Sequence, residues 1–414
     1  MVLISGVLGV PPYRVETLRE GTVRRLGSAE GDLTVANLNT LHGFACDPLF
    51  PGDGDQCRLI DRIDLLIQHL ASICPDVVTL QEAVTSRFLI LGLEPPKVVA
   101  PLESTVQLIE ERLEGLAKAC GFPYAIVFLP VPPFFVDQEL ILTRYPPRRI
   151  TSIPLYSPLR PFFTRHLLYA QIDHPIGPID VFTTHVGGGE PCGFDPMLLP
   201  WLRPPPCPEE CETSQTVREC QARQVALRVE AMHHGSTPAV IAGDFNFEPD
   251  APAYQELLGH GWIDSYLAAG NPECDPQTEI GCTSGRIDYA LDDLESPEDN
   301  VDVRVDYTFV VPPKRKLICS IDPAGTRLFA DDPAVACGPV PNPICWPSDH
   351  KGTELELNCK RRPPRGAAQE VRALDQPQDR QGPRPHDSAV PALAGGQGDQ
   401  VSSRRLDYLA GVGQ

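Results

Sequence analysis

No run of apolar residues in this chain is long enough to cross a membrane. The opening MVLISGVLGV is apolar but has no basic flank and barely reaches the length of a signal's apolar segment, so it is at best a truncated export signal. Positive charge is scarce. Lys and Arg number 35 against 55 Asp and Glu, a net charge of −20. That balance disfavours sequence-blind attraction to DNA or anionic membranes unless a locally basic cleft or a bound cation overrides it. Compact Cys-x-x-Cys pairs are also missing, although the chain has 14 cysteines. The cysteines crowd into Pro- and Gly-rich stretches, the pattern of disulfides formed outside the cytoplasm, and a secreted or periplasmic protein is expected. The tightest group, Cys207, Cys211 and Cys220, has no histidine at ligand spacing, which weighs against a zinc site.

What is present permits a large core: 42% of the 414 residues are hydrophobic. Residues 1–31 carry no periodic pattern and read as a poorly ordered leader. After Cys359 the composition turns to Pro, Arg, Gln, Ala and Gly, so residues 361–414 read as a disordered tail, leaving 32–360 as the folded domain. Within it, Leu59, Ile63, Leu66 and Leu70 mark one face of a helix that Pro75 stops, and Val106, Ile109, Leu113 and Leu116 mark a second, ending at Cys120 and Gly121. A third runs from Thr216 to Met232, with His233 and His234 placed to favour its dipole. Strands are expected at Leu33–Leu38, in PDVVTLQEA, at Tyr124–Leu129, Glu139–Thr143, Leu167–Ile172, Ile179–Thr184, in VIAGD, in VRVDYTFV and at Thr353–Leu357. Gly187 to Ser214 is rich in Pro and Cys and reads as a disulfide-laced surface loop, whose Met197, Leu198, Leu199 and Trp201 suit loop packing or contact with lipid.

The polar residues that matter sit where these strands end. In VIAGDFNFEPD, Asp244 and Asn246 are two residues apart and share one side of an extended chain. A carboxylate there can hold and polarise a water, and a neutral amide beside it can donate to a phosphoryl oxygen without adding repulsive charge. NLNTLHG ends a strand on Asn39, with Asn37 on the same side; either is also a plain turn or strand residue. Glu82 follows an apolar strand and is either a metal ligand or a paired structural acid. His185 leaves a buried strand ahead of three glycines, a place where backbone approaches a ligand closely, although a lone histidine there is more often structural. GRIDYAL and VRVDYTFV offer Asp288 and Asp306 as alternatives, and the β-branched and aromatic run favours Asp306. WPSDHKG supplies adjacent Asp349 and His350.

In chain order NTLHG, LQEA, TTHVGG, GDFN, RVDYTFV and PSDH resemble the endonuclease/exonuclease/phosphatase superfamily, over roughly residues 33–359. The superfamily spans pancreatic-type deoxyribonucleases, abasic-site endonucleases, neutral sphingomyelinases and inositol polyphosphate phosphatases. The resemblance implies an α/β fold, a four-layer α/β/β/α sandwich of two mixed sheets with the site at one edge. It implies Glu82 as principal ligand of Mg²⁺, or Mn²⁺, with Asn39 and Asp349 close to the ion or its waters. It further implies that Asp244 activates water, Asn246 holds the phosphate, Asp306 orients His350 beside the scissile phosphate, and His185 supplies a second donor. A partner for His185 would be Asp137 or Glu139, where relatives read GNAILSR and this chain departs from them. The expected activity is metal-dependent hydrolysis of a phosphoester in nucleic acid or a phospholipid head group. An inositol phosphate, with KRK at Lys314–Lys316 as a weak basic cluster, and a non-catalytic binding module are the alternatives. No feature demands an oligomer, and a monomer is expected.

Overall fold

Alternation decides which face of each strand is buried. In β1 (Glu30–Asn39), Leu33 and Val35 point into the space between two sheets, while Ala36 and Leu38 point the other way. The computed structural model describes residues 30–41, 58–83, 88–90, 97–99, 104–129, 138–158, 165–193, 206–286, 291–314, 317–334, 337 and 344–361. After β1 come α1 (Leu59–Ile73), β2 (Val77–Gln81), β3 (Phe88–Ile90), β4 (Lys97–Val99), α2 (Thr105–Cys120), β5 (Ala125–Phe128) and β6 (Leu140–Thr143). The chain continues through β7 (Pro147–Pro154), β8 (His166–His174), β9 (Gly177–His185), α3 (Val217–Met232), β10 (Ala239–Asp244), α4 (Pro252–Gly259), β11 (Ile263–Asp264) and α5 (Ser265–Ala268). It closes with α6 (Leu291–Leu294), β12 (Asp306–Val311), β13 (Leu317–Ile321), β14 (Arg327–Phe329) and β15 (Gly352–Arg361). The expected leader and tail fall outside the described residues, apart from Glu30 and Gly31 in β1 and Arg361 in β15.

The first sheet runs β13-β15-β1-β2-β6-β5, with β14 also on β15, and the second runs β11-β12-β10-β9-β8-β7. Each is mixed: β1/β2 and β9/β10 are parallel, and the strands flanking them pair antiparallel. On the outer face of the first sheet, Leu59, Ile63, Leu66 and Leu70 of α1 and Val106, Ile109 and Leu116 of α2 pack against Val78, Leu80, Leu140 and Leu142. Val225 and Val229 of α3 and Leu257 of α4 cover the second sheet at Phe182, Ile241 and Phe309. Between the sheets Leu33, Val35, Val77, Ile141, Val181, Val240, Val310, Leu355 and Leu357 interdigitate. Each such aliphatic contributes about 1.5–3 kcal/mol of burial. The result is the expected four-layer α/β sandwich of two mixed sheets.

The inter-sheet layer changes character along the strands. Past the aliphatic tier, the same inward positions hold Asn37, Thr79, Gln81 and Thr183, all fully buried. Asn37 Oδ1 accepts from Thr79 Oγ1 at 2.8 Å and from Gln81 Nε2 at 2.9 Å, and Gln81 Nε2 also donates to Thr183 Oγ1 at 2.9 Å. Asn37 therefore cross-links β1 and β2 one tier beneath the strand ends. The helices are tied locally: Ser104 and Thr216 accept backbone N–H groups at the starts of α2 and α3, and Cys74–Cys120 joins the ends of α1 and α2. Further disulfides are Cys192–Cys207, Cys211–Cys220, Cys274–Cys282, Cys319–Cys359 and Cys337–Cys345. The pairing of Cys207 with Cys192 and of Cys211 with Cys220 rules out a zinc site on those thiols. Cys46, Cys57 and the apolar residues Met197, Leu198, Leu199 and Trp201 lie outside the described residues.

His233 does more than favour a helix dipole. The chain turns extended at this residue, and its ring returns to the sheet to meet Asp180 Oδ2 at 3.0 Å. Tyr169 Oη and Gln171 Nε2 donate to Asp180 Oδ1 at 2.8 and 2.9 Å. Burial alone would raise the Asp180 carboxyl, but the hydrogen bonds from His233, Gln171 and Tyr169 hold it below its ordinary value. A carboxyl depressed in the folded state stabilises above the unfolded value, about 3.9, and loses that contribution as pH falls through the folded value. Asp180→Asn should therefore cost about 1–3 kcal/mol near neutrality, and the difference from wild type in thermal melts should shrink as pH drops below about 4. A difference that stays constant through that window would contradict the assignment.

Gly243 lies opposite Thr184 in the parallel pairing of β9 and β10. A Cβ placed there would sit 2.0 Å from the Thr184 carbonyl oxygen, and that oxygen belongs to a strand that cannot move aside. Gly243→Ala is expected to destabilise by at least about 1–3 kcal/mol; a urea-unfolding midpoint equal to wild type would show that the strands are not so tightly apposed.

Candidate functional site

At the end of the sandwich where β1, β2, β9 and β10 finish and β12 and β15 begin, the inward positions become charged. Asp244 is the hub, only 2% exposed. Its Oδ2 accepts from Asn39 Nδ2 at 3.0 Å and lies 3.3 Å from His185 Nε2 and 3.9 Å from His350 Nε2. Its Oδ1 accepts the Asn246 backbone N–H at 2.8 Å. Asn39 Nδ2 also donates to Glu82 Oε1 at 3.0 Å, while Asn39 Oδ1 accepts the Leu41 N–H at 3.0 Å. The amide thus spaces two carboxylates that would otherwise repel. Asn246 Nδ2 lies 2.8 Å from His185 Nε2 and donates to the Val186 carbonyl at 2.9 Å. His350 Nδ1 meets Asp306 Oδ2 at 2.8 Å, its Nε2 lies 3.9 Å from Asp349 Oδ2, and Ser348 Oγ donates to Asp349 Oδ1 at 3.0 Å.

All eight residues anticipated from strand ends, Asn39, Glu82, His185, Asp244, Asn246, Asp306, Asp349 and His350, join one connected network. Of the two alternative acids, Asp306 contacts His350, and Asp288 lies outside the described residues. Glu82 and Asn246 have φ of 59° and 53°. Left-handed backbone at a glutamate persists only where its surroundings over-determine it, and both residues turn the chain sharply where a strand stops.

The histidines differ electrostatically. Burial, together with the positive charge of Arg165, pushes His185 down to about 4, against the pull of Asp244 and Glu82; its ring is neutral near pH 7 and receives the Asn246 N–H. Burial acts in the same direction on His350, but Asp306, Asp349 and Asp244 outweigh it and hold that imidazole well above its ordinary value. Asp244 is itself raised by burial, against the opposing effect of His185 and His350.

The charge of Glu139 acts on the His185 ring together with those of Asp244 and Glu82. Glu139 Oε1 accepts the His185 backbone N–H at 3.2 Å and its Oε2 pairs with buried His166, so it also fixes the end of β9; Asp137 is outside the described residues. Arg165 was missed in the sequence. It precedes β8, burial pushes its guanidinium below the ordinary value, and Glu82, Asp244 and Glu190 oppose that shift. The signal available was an arginine directly ahead of the apolar run HLLYAQI, which needs acids nearby.

Oxygen donors dominate the cluster, and the neighbouring thiols are in disulfides, so the chemistry of the set suits a hard divalent cation. Asp244, Asp306 and His350 have ligand atoms within 4.8 Å of one another and make a buried group able to hold a metal. Among the described residues no helix is long and apolar enough to cross a membrane.

No curated protein matches the sequence. Among solved structures, TDP2 of D. rerio complexed with a single-strand DNA product is similar at 18% identity and a TM-score of 0.50, over 79% of this chain and 99% of that one. An endonuclease/exonuclease/phosphatase family protein from Bacteroides thetaiotaomicron is similar at 15% identity and a TM-score of 0.50, over 80% and 95%. A mannosyl-6-phosphatase from the same organism gives 16% identity and a TM-score of 0.48, over 78% and 99%. The profile of the Endonuclease/Exonuclease/phosphatase family matches residues 36–350, from β1 to the histidine beside Asp349. The chain belongs to that family.

Proposed function

We propose that the protein hydrolyses a phosphoester, in nucleic acid or a phospholipid head group, with the aid of a divalent metal ion, Mg²⁺ or Mn²⁺. The observation that carries this is the buried Asp244 carboxylate, which accepts from the Asn39 amide and the Asn246 backbone N–H and lies 3.3 and 3.9 Å from the imidazoles of His185 and His350. Glu82, together with Asp349 and Asn39, would hold the ion. When bound, the ion supplies positive charge where phosphoryl and leaving oxygens become more negative. Asp244 holds the attacking water and takes its proton. Asn246 donates to a phosphoryl oxygen. His350, turned by Asp306, presents Nε2 to the same phosphate, and His185 faces it from the second sheet. Donors fixed in advance favour the transition state over the ground state. The six disulfides among the described residues fit secretion, and the protein acts as a monomer.

The direct test is hydrolysis of plasmid DNA, RNA, sphingomyelin, an inositol phosphate and bis-nitrophenyl phosphate, with Mg²⁺ or with EDTA. Wild type should turn over at least one of these only with the metal, and His350→Ala should lower kcat by about 10²–10⁴-fold. A folded, metal-supplied protein that leaves the whole panel untouched overturns the proposal. Ion binding is read separately: Mg²⁺ should raise the melting temperature of wild type by mass action and leave that of Glu82→Gln unmoved. Equal shifts in both proteins would remove Glu82 from the ion's site.

A further inference from the structure

One side chain at the site belongs to none of the strand-end motifs. Ser284 lies in GCTSGR, between α5 and α6, and its Oγ is 3.3 Å from His350 Nε2. Among the described residues that hydroxyl makes no other hydrogen bond. Its placement is firmly determined. Cys274–Cys282 closes the loop before it, Ser284 pairs with Val303 in an antiparallel bridge, and the neighbouring Thr283 Oγ1 accepts the N–H groups of Val305 and Asp306 at 3.1 and 3.2 Å. The Thr283 carbonyl takes the N–H of Lys351 at 2.7 Å. The serine is thus tied both to the strand carrying Asp306 and to the segment carrying His350.

We infer that Ser284 is a further substrate-contacting residue, whose hydroxyl donates to the phosphoryl oxygen bound at His350 Nε2. The inference rests on the phosphoester hydrolase reading above. The other polar groups around Nε2, Asp244 and Asp349 at 3.9 Å each, are carboxylates able only to accept when ionised. A phosphoryl oxygen needs donors. The Ser284 hydroxyl rotates freely about its C–O bond, so it turns from Nε2 to an oxygen seated in front of that nitrogen without backbone movement. Asp306 meanwhile keeps the ring still through Nδ1. The ligand class is any tetrahedral phosphate oxyanion, free or esterified.

The test compares wild type, Ser284→Ala and Ser284→Thr, each with Mg²⁺, in two assays: kcat and KM on the best ester of the panel, and calorimetric binding of inorganic phosphate. Ser284→Ala should lose about ten- to a hundredfold in kcat/KM, the worth of one hydrogen bond to a charged group. It should weaken phosphate binding to a similar degree and melt at the wild-type temperature, and Ser284→Thr, keeping the hydroxyl, should recover most of both. Phosphate binding needs no turnover. If wild type hydrolyses nothing, the hydrolase reading fails, while a loss of phosphate affinity in the alanine variant still supports the contact. Unchanged kcat/KM and phosphate affinity in Ser284→Ala overturns the inference, as does the same loss in both variants or a lowered melting temperature, which would make the residue structural.

Discussion

A carboxylate cannot be carried to the end of an apolar strand and left there. Taking Asp244 out of water costs several kcal/mol unless hydrogen bonds and polar neighbours replace the lost hydration, and the groups that surround it come from opposite sheets and distant parts of the chain. Asn39 reaches it from β1, His185 from β9 and His350 from the segment ahead of β15. Satisfying one buried charge therefore sets the relative position of both sheets at their upper edge, and the rest of the site is arranged around that requirement.

The two sheets answer it in the same way. Each has a parallel pair at its centre, β1/β2 or β9/β10, with antiparallel strands on either side. The carboxyl ends of both parallel pairs consequently emerge at one edge, where each delivers an acid and a partner: Asn39 with Glu82, and His185 with Asp244. Beneath them the Asn37–Thr79–Gln81–Thr183 tier separates the charged edge from the aliphatic centre. That tier lets one strand pass from hydrocarbon to carboxylate over two residues without leaving an ion against bare methyl groups.

The site was legible in the sequence because strand periodicity and polarity act together there. Where an apolar run ends on a polar residue of the inward phase, as at Asn39, His185 and Asp244, the alternation already names the face. Edge strands were harder to see. β7 reads PRRITSIP, with arginines and prolines where a buried strand would show Val or Ile, and β13 and β14 exist through pairing with β15 rather than through their own pattern. Contacts that depend on tertiary return were not legible at all. The meeting of His233 with Asp180, and of Ser284 with a histidine 66 residues later, leaves no trace in local spacing, and the even cysteine count admits many pairings.

The described disulfides are all regional. Cys74–Cys120 and Cys319–Cys359 stay within the first sheet and its helices, while Cys192–Cys207 and Cys211–Cys220 stay beside β9 and α3. Cys274–Cys282 and Cys337–Cys345 each close a short loop. Among the described residues no covalent cross-link joins the two halves of the sandwich, so their cohesion rests on interdigitated aliphatics and on the polar network at one rim. Whatever occupies that rim touches both halves at once and acts as a removable clamp, coupling occupancy of the cleft to the resistance of the whole sandwich to coming apart.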